Sequence, residues 1–119
     1  MPAKTVLVID DDPDIHFFCK SLLEAEGYTV KSAISGAAGL AAAAAEKPDL
    51  IILDIMMEKI NTGYKVAEAL GKETPILMFS SMLNPSDAQF DRDSVPYTDV
   101  ISKPIAGNIL LEKVRTLIG

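Results

Sequence analysis

One cysteine, Cys19, one histidine, His16, and no tryptophan occur in the 119 residues of this chain. A single thiol cannot build a disulfide framework or a cysteine-based zinc site. With no secretion signal beside it, the thiol fits a reducing compartment, so a cytoplasmic location is expected. A single imidazole with no second His or Cys partner supplies neither a metal cage nor a catalytic pair, so His16 is expected to be a plain helix-face residue. Positive charge is also scarce, with 11 Lys and Arg against 17 Asp and Glu and a net charge of −6. The cations are scattered, which excludes the clustered basic surface that direct nucleic-acid binding requires. No apolar run approaches the ~20 residues that cross a bilayer. Met1-Pro2-Ala3-Lys4 lacks the basic-then-apolar pattern of a signal peptide. A membrane role is therefore not expected.

What the chain does have is a regular alternation. Thr5-Val6-Leu7-Val8-Ile9 is a continuous β-branched and apolar run, the pattern of a strand covered on both faces. It breaks at Asp10-Asp11-Asp12-Pro13, where Asp12 suits a helix N-cap and Pro13 the first helical position. Ile15, Cys19, Leu22 and Leu23 then form an apolar stripe at helical spacing that stops at Gly27, with Cys19 on the packed side. A second strand is expected over 28–32, and an Ala-rich helix opens at Ser35-Gly36. Leu50-Ile51-Ile52-Leu53 reads as a third buried strand ending at Asp54. A helix over about 64–70, a strand over 76–79, a brief strand at Val100-Ile101 and a helix over 108–118 complete the pattern. In the last helix Ile109, Leu110, Val114 and Leu117 are expected to face inward. Residues 81–97 are turn-rich, so the fourth helix is expected to be short or irregular. Five strand–helix units predict one domain over 1–119: an α/β, doubly wound, five-stranded parallel sheet with helices on both faces, of the flavodoxin-like (βα)5 type.

In open parallel sheets, ligands sit beyond the carboxyl ends of the strands. This chain places Asp10, Asp11 and Asp12 there after strand one, Asp54 after strand three, Ser80 after strand four and Lys103 after strand five. Converging carboxylates repel one another unless a cation intervenes. Hard oxygen ligands with room for water suit Mg²⁺. Such an edge can hold a phosphoryl group, with the cation, the lysine and the serine hydroxyl each taking an oxygen. One carboxylate is then the nucleophile, and an aspartyl phosphate results.

Val8-Ile9-Asp10-Asp11-Asp12-Pro13, Leu53-Asp54-Ile55-Met56-Met57, Ser80-Ser81 and Lys103-Pro104 together resemble the signatures of bacterial two-component response-regulator receiver domains of the chemotaxis-regulator-like kind. Each motif alone is weak, but order and spacing match over essentially the whole chain. The resemblance implies that Asp54 is the phosphoacceptor. It implies that Asp10 and Asp11 hold Mg²⁺ together with Asp54 and the backbone carbonyl of Met56. Ser80 takes the place of the switch Ser/Thr, and Lys103 that of the lysine bonded to the phosphoryl group. The implied donor is a phosphohistidine on a histidine kinase or phosphotransfer protein, and the output is a downstream protein or a domain outside this sequence. The implied chemistry is self-phosphorylation and self-dephosphorylation only, so this is not a conventional enzyme.

The sequence departs from the pattern in places. Glu58 stands where a proline is usual, Gly63 comes one residue late so that 58–62 form an altered loop, and Val100 stands where the switch aromatic is usual, with Tyr97 nearby. Met56 and Met82 occupy positions that tune dephosphorylation in the family. Two other readings remain. One is a phosphorylation-independent interaction module on the same fold, favoured by Val100 and by the irregular 81–97 stretch. The other is a haloacid-dehalogenase-type phosphatase, suggested by Asp10-x-Asp12, which leaves Asp54 unexplained.

Overall fold

The computed structural model describes residues 4–54, 74–80, 99–102 and 106–118. Within them the chain forms strand β1 (Thr5–Ile9), helix α1 (Pro13–Glu24), strand β2 (Thr29–Ala33), helix α2 (Gly36–Glu46), strand β3 (Leu50–Asp54), strand β4 (Ile76–Ser80), strand β5 (Asp99–Ser102) and helix α3 (Gly107–Ile118). The expected helix near 64–70, the altered loop at 58–62 and the irregular stretch at 81–97 lie outside the described residues. So do Met56, Met82, Tyr97 and Lys103.

Five strands pair in parallel in the order β2-β1-β3-β4-β5, as the alternating pattern predicts. The central strands explain the apolar runs. Val6, Leu7, Val8 and Ile9 of β1 are fully buried, and β3 is buried along its whole length. Successive side chains on a strand point to opposite faces, so both faces must be covered. Val6, Val8, Leu50, Ile52, Leu77 and Phe79 pack on one face with Cys19 and Leu23 of α1 and Leu110 and Val114 of α3. Leu7, Ile9, Ile51, Leu53, Ile76 and Met78 fall on the other face and are equally buried. Helix α2 lies on that second face, where Gly39 approaches Ile9 so closely that an added Cβ would sit 2.6 Å from the Ile9 Cδ1. Glycine is used there because the helix backbone rides directly on the strand.

Local chemistry sets the helix ends. The Asp12 carboxylate accepts from the Asp14 backbone N–H at 2.9 Å and caps α1, with Pro13 opening the helix. Gly27, at φ +94°, takes the left-handed turn after α1 that a side chain would strain. The Ser35 hydroxyl accepts from the Ala38 N–H at 3.1 Å and caps α2. At the amino end of the sheet Asp49 bonds Thr5 twice: Thr5 N–H donates to its Oδ2 and the Asp49 N–H donates to the Thr5 carbonyl, both at 2.8 Å.

Two details correct the sequence reading. Strand β2 starts and ends one residue later than expected, at Thr29–Ala33. Ile109 is not an inward residue, being 41% exposed. The core stripe of α3 is Leu110 and Val114, with Leu111, Leu117 and Ile118 packed at its margins, and Ile109 falls a step of the helix outside it.

The Gly39 contact gives a stability test. Gly39→Ala should lower stability to urea by roughly 1–3 kcal/mol through overpacking against Ile9, despite the helix-propensity gain of about 1 kcal/mol. In an Ile9→Ala background the same substitution should cost measurably less, and additive losses would mean the two residues do not compete for that space.

Candidate active site at the carboxyl edge

Parallel pairing in register brings the acidic residues together. Ile9 pairs with Leu53, so Asp10 and Asp54, one residue further along their strands, leave the sheet side by side. On the other flank of β3, Asp54 pairs with Phe79, which sets Ser80 one position beyond it at the same edge. Ser80 in turn pairs with Ser102, the last residue of β5, and Lys103 follows in the chain. Three of the expected site residues, Asp10, Asp54 and Ser80, thus share one edge by register, with Asp11 next to Asp10. Met56 and Lys103 lie outside the described residues.

Asp10 and Asp54 are the buried charged residues of the described chain, at 1% and 4% exposure. Asp11 is exposed. One carboxylate oxygen from each of the three lies within 4.8 Å of the other two. Charges taken out of water are costly unless paired, and like charges add to that cost. At the 4.8 Å limit and an effective dielectric of ~20, two carboxylates repel by on the order of 3 kcal/mol. The donor set is three hard oxygens, two fixed from below and one reaching from the solvent side. That is the chemistry of a divalent-cation site that leaves further positions for water.

The β1–α1 turn is itself well tied down. The Asp10 N–H donates to the Ala33 carbonyl at 3.1 Å, extending the β1–β2 ladder by one bond. The Asp10 Oδ1 accepts from the Asp12 N–H at 2.9 Å. Asp12 is the N-cap expected from the sequence, its carboxylate engaged by the Asp14 N–H. A role for Asp12 as the acid of a dehalogenase-type pair would require that group to leave its cap.

His16, expected to be a plain helix-face residue, also makes a contact that the sequence did not reveal. Its Nε2 lies 2.6 Å from the Asp10 backbone carbonyl, so the half-buried ring belongs to the site's framework. A contact between a side chain and a main-chain oxygen leaves no residue-type pattern in a sequence. The one available signal was position: a helix opening at Pro13 turns its first residues back over the end of the preceding strand.

Comparison with known proteins agrees with this architecture. Residues 6–115 match the family model described as the response regulator receiver domain. The DNA-binding dual master transcriptional regulator RpaA of Synechocystis is 35% identical over 95% of this chain, and the match covers 48% of RpaA. The alkaline phosphatase synthesis transcriptional regulatory protein PhoP of Bacillus subtilis is 34% identical over 97% of this chain and 48% of its own length. The chain thus spans about half the length of these curated relatives. Among solved structures, the chemotaxis protein CheY4 of Vibrio cholerae superposes with a TM-score of 0.87 at 29% identity, covering 98% of this chain and 99% of that one.

The convergence of carboxylates predicts a response to divalent cations. Excess Mg²⁺ should raise the denaturation midpoint of the wild type and raise that of Asp54→Asn less. An equal rise in both would mean that the ion does not engage the Asp54 carboxylate.

Proposed function

This chain belongs to the response regulator receiver domain family, and on that premise we propose that Asp54 accepts a phosphoryl group in a Mg²⁺-dependent reaction. The family is one of two-component signalling domains and not of catalytic enzymes in general. The observation that carries the proposal is the buried Asp54 carboxylate set beside Asp10 and Asp11, with oxygens of all three within 4.8 Å.

Each residue has a physical task in this reading. An Asp54 oxygen attacks phosphorus in line with the leaving group, so one O–P bond forms as the donor's bond to phosphorus breaks. When the donor is a phosphohistidine, the broken bond is N–P and the released imidazole nitrogen takes up a proton from solvent. Asp10, Asp11 and Asp54, with the Met56 carbonyl, would hold Mg²⁺ at the site. When bound, Mg²⁺ supplies the positive charge that lets an anionic phosphoryl group approach a cluster of carboxylates. The Ser80 hydroxyl and the Lys103 ammonium, both at the carboxyl edge in chain order, bond the remaining phosphoryl oxygens. The product carries close to two added negative charges at the edge of the sheet. That change biases the surface around β4 and β5 toward the form a downstream partner binds.

The donor is a histidine kinase or phosphotransfer protein, acting in the cytoplasm. Two exposed apolar side chains support a protein donor: Phe17 on α1, at 75% exposure, and Ile34 after β2, at 67%. Both stand on segments that leave the carboxyl edge beside Asp10. Large apolar groups gain from being covered by a partner.

Two measurements test this reading. Incubation with acetyl phosphate and Mg²⁺ should add one phosphoryl group, about 80 Da by intact mass, to the wild type and none to Asp54→Asn. No gain from either acetyl phosphate or a phosphohistidine donor would leave the domain as an unphosphorylated interaction module. Phe17→Ala should slow transfer from a cognate protein donor by about tenfold while leaving labelling by acetyl phosphate unchanged. Equal slowing with both donors would assign Phe17 to the fold and not to donor contact.

A further inference from the structure

We propose that His16 is a positioning residue for the cation site: its Nε2–H locks the peptide between Asp10 and Asp11 and so aims both carboxylates. The inference rests on the reading of Asp10, Asp11 and Asp54 as holding Mg²⁺, and it adds a residue to that reading. A carbonyl oxygen only accepts hydrogen bonds, so at 2.6 Å from the Asp10 carbonyl the Nε2 must carry the proton and donate it. The other ring nitrogen, Nδ1, is buried without a hydrogen-bond partner. A ring that leaves half of its polar capacity unmet is held in place by packing and by the one bond it makes. That bond is to the main chain of the residue at the centre of the acidic cluster.

Geometry explains why one bond orients two side chains. The Asp10 carbonyl and the Asp11 N–H share one planar peptide unit. Fixing the direction of the carbonyl fixes ψ at Asp10 and the plane from which the Asp11 side chain departs. Asp10 is then tied by its N–H to Ala33 of β2, by its carboxylate to the Asp12 N–H of the turn, and by its carbonyl to His16 of α1. The tether to Asp12 closes a turn around Asp11, and the tether to His16 fixes the carbonyl of the peptide that leads into exposed Asp11. Loss of the His16 bond loosens the carbonyl end of this turn, so the ligands are gathered around a cation at greater cost. Rigid placement of ligands by groups behind them is a general source of metal affinity.

The test compares His16→Phe, which keeps a ring but no donor, with His16→Gln, whose amide nitrogen reaches about as far as Nε2 and can donate. Leu22→Ala, in the same helix but packed against the core, controls for ordinary loss of stability. Mg²⁺ affinity of the unphosphorylated protein is read by isothermal titration calorimetry. Protection of the Asp12 amide is read by hydrogen exchange in chelator. We expect His16→Phe to weaken Mg²⁺ binding by roughly three- to tenfold, the span of one hydrogen bond, and to expose the Asp12 amide. His16→Gln should stay within about twofold of wild type, and Leu22→Ala should bind Mg²⁺ normally although it unfolds more easily. Wild-type affinity in His16→Phe would overturn the inference, as would equal weakening in all three variants. A wild type that binds no Mg²⁺ would instead overturn the cation-site reading, and this inference with it.

Discussion

Two aspartates buried next to each other at the end of an apolar sheet are the constraint on which the rest of this structure depends. Asp10 and Asp54 are almost wholly removed from water, at the carboxyl ends of adjacent strands filled with buried aliphatic side chains. An ordinary core would reject this arrangement, since each charge loses hydration and each repels the other. Here the charges sit at an edge, with Asp11 exposed beside them. A cation arriving from the open side would relieve their mutual repulsion, and a phosphoryl group added at Asp54 would restore it. A switch needs such a lever, because a ligand shifts an equilibrium only as far as it interacts differently with the two states.

The scaffold's main task is to hold register. A slip of one residue between β1 and β3 would turn Asp54 to the other face and separate it from Asp10. Asp49 guards against this from the far end of the sheet. Its carboxylate and N–H both bond Thr5, clamping the amino ends of β1 and β3 so that the carboxyl ends finish together. The close seating of Gly39 on Ile9 fixes β1 from one face, and Cys19 and Leu23 pack against it from the other. Residues far from the chemistry therefore determine whether the carboxylates meet.

The central strands were legible in the sequence for a physical reason. Strands buried on both faces must be apolar without interruption, so Val6-Leu7-Val8-Ile9 and Leu50-Ile51-Ile52-Leu53 announce themselves and their ends mark where Asp10 and Asp54 fall. The cap at Asp12 and the helix start at Ser35-Gly36 were equally plain, because short polar residues ahead of an apolar helical stretch mark its opening. Ile109 was misread because Ile109, Leu110 and Leu111 are consecutive apolar residues, and periodicity alone does not say which of the three lies off the core stripe. The Gly39–Ile9 approach and the His16–Asp10 bond were not legible at all. Each depends on how a helix is seated on the sheet, and seating is decided by the summed packing of many side chains.

The contrast between buried Asp10 and exposed Asp11 gives the site a closed side and an open one. Asp10 is bonded from the strand, the turn and the helix, so it has little freedom to follow a ligand. Asp11 faces water. A divalent ion that keeps part of its hydration shell is suited to such a pair, with one ligand rigid enough to define its position and one able to complete the shell. The same asymmetry bears on donors. On the proposed reading a donor to Asp54 would approach from the side where Asp11, Phe17 and Ile34 are exposed, because apolar side chains fill the space beneath Asp54. A small acyl phosphate needs only the opening, whereas a protein donor must also rest on the apolar surface around it. With Asp54 as the proposed acceptor, the chemistry would be common to all donors while the rate with a protein donor would depend on what surrounds the opening, which would separate the reactivity of Asp54 from its specificity.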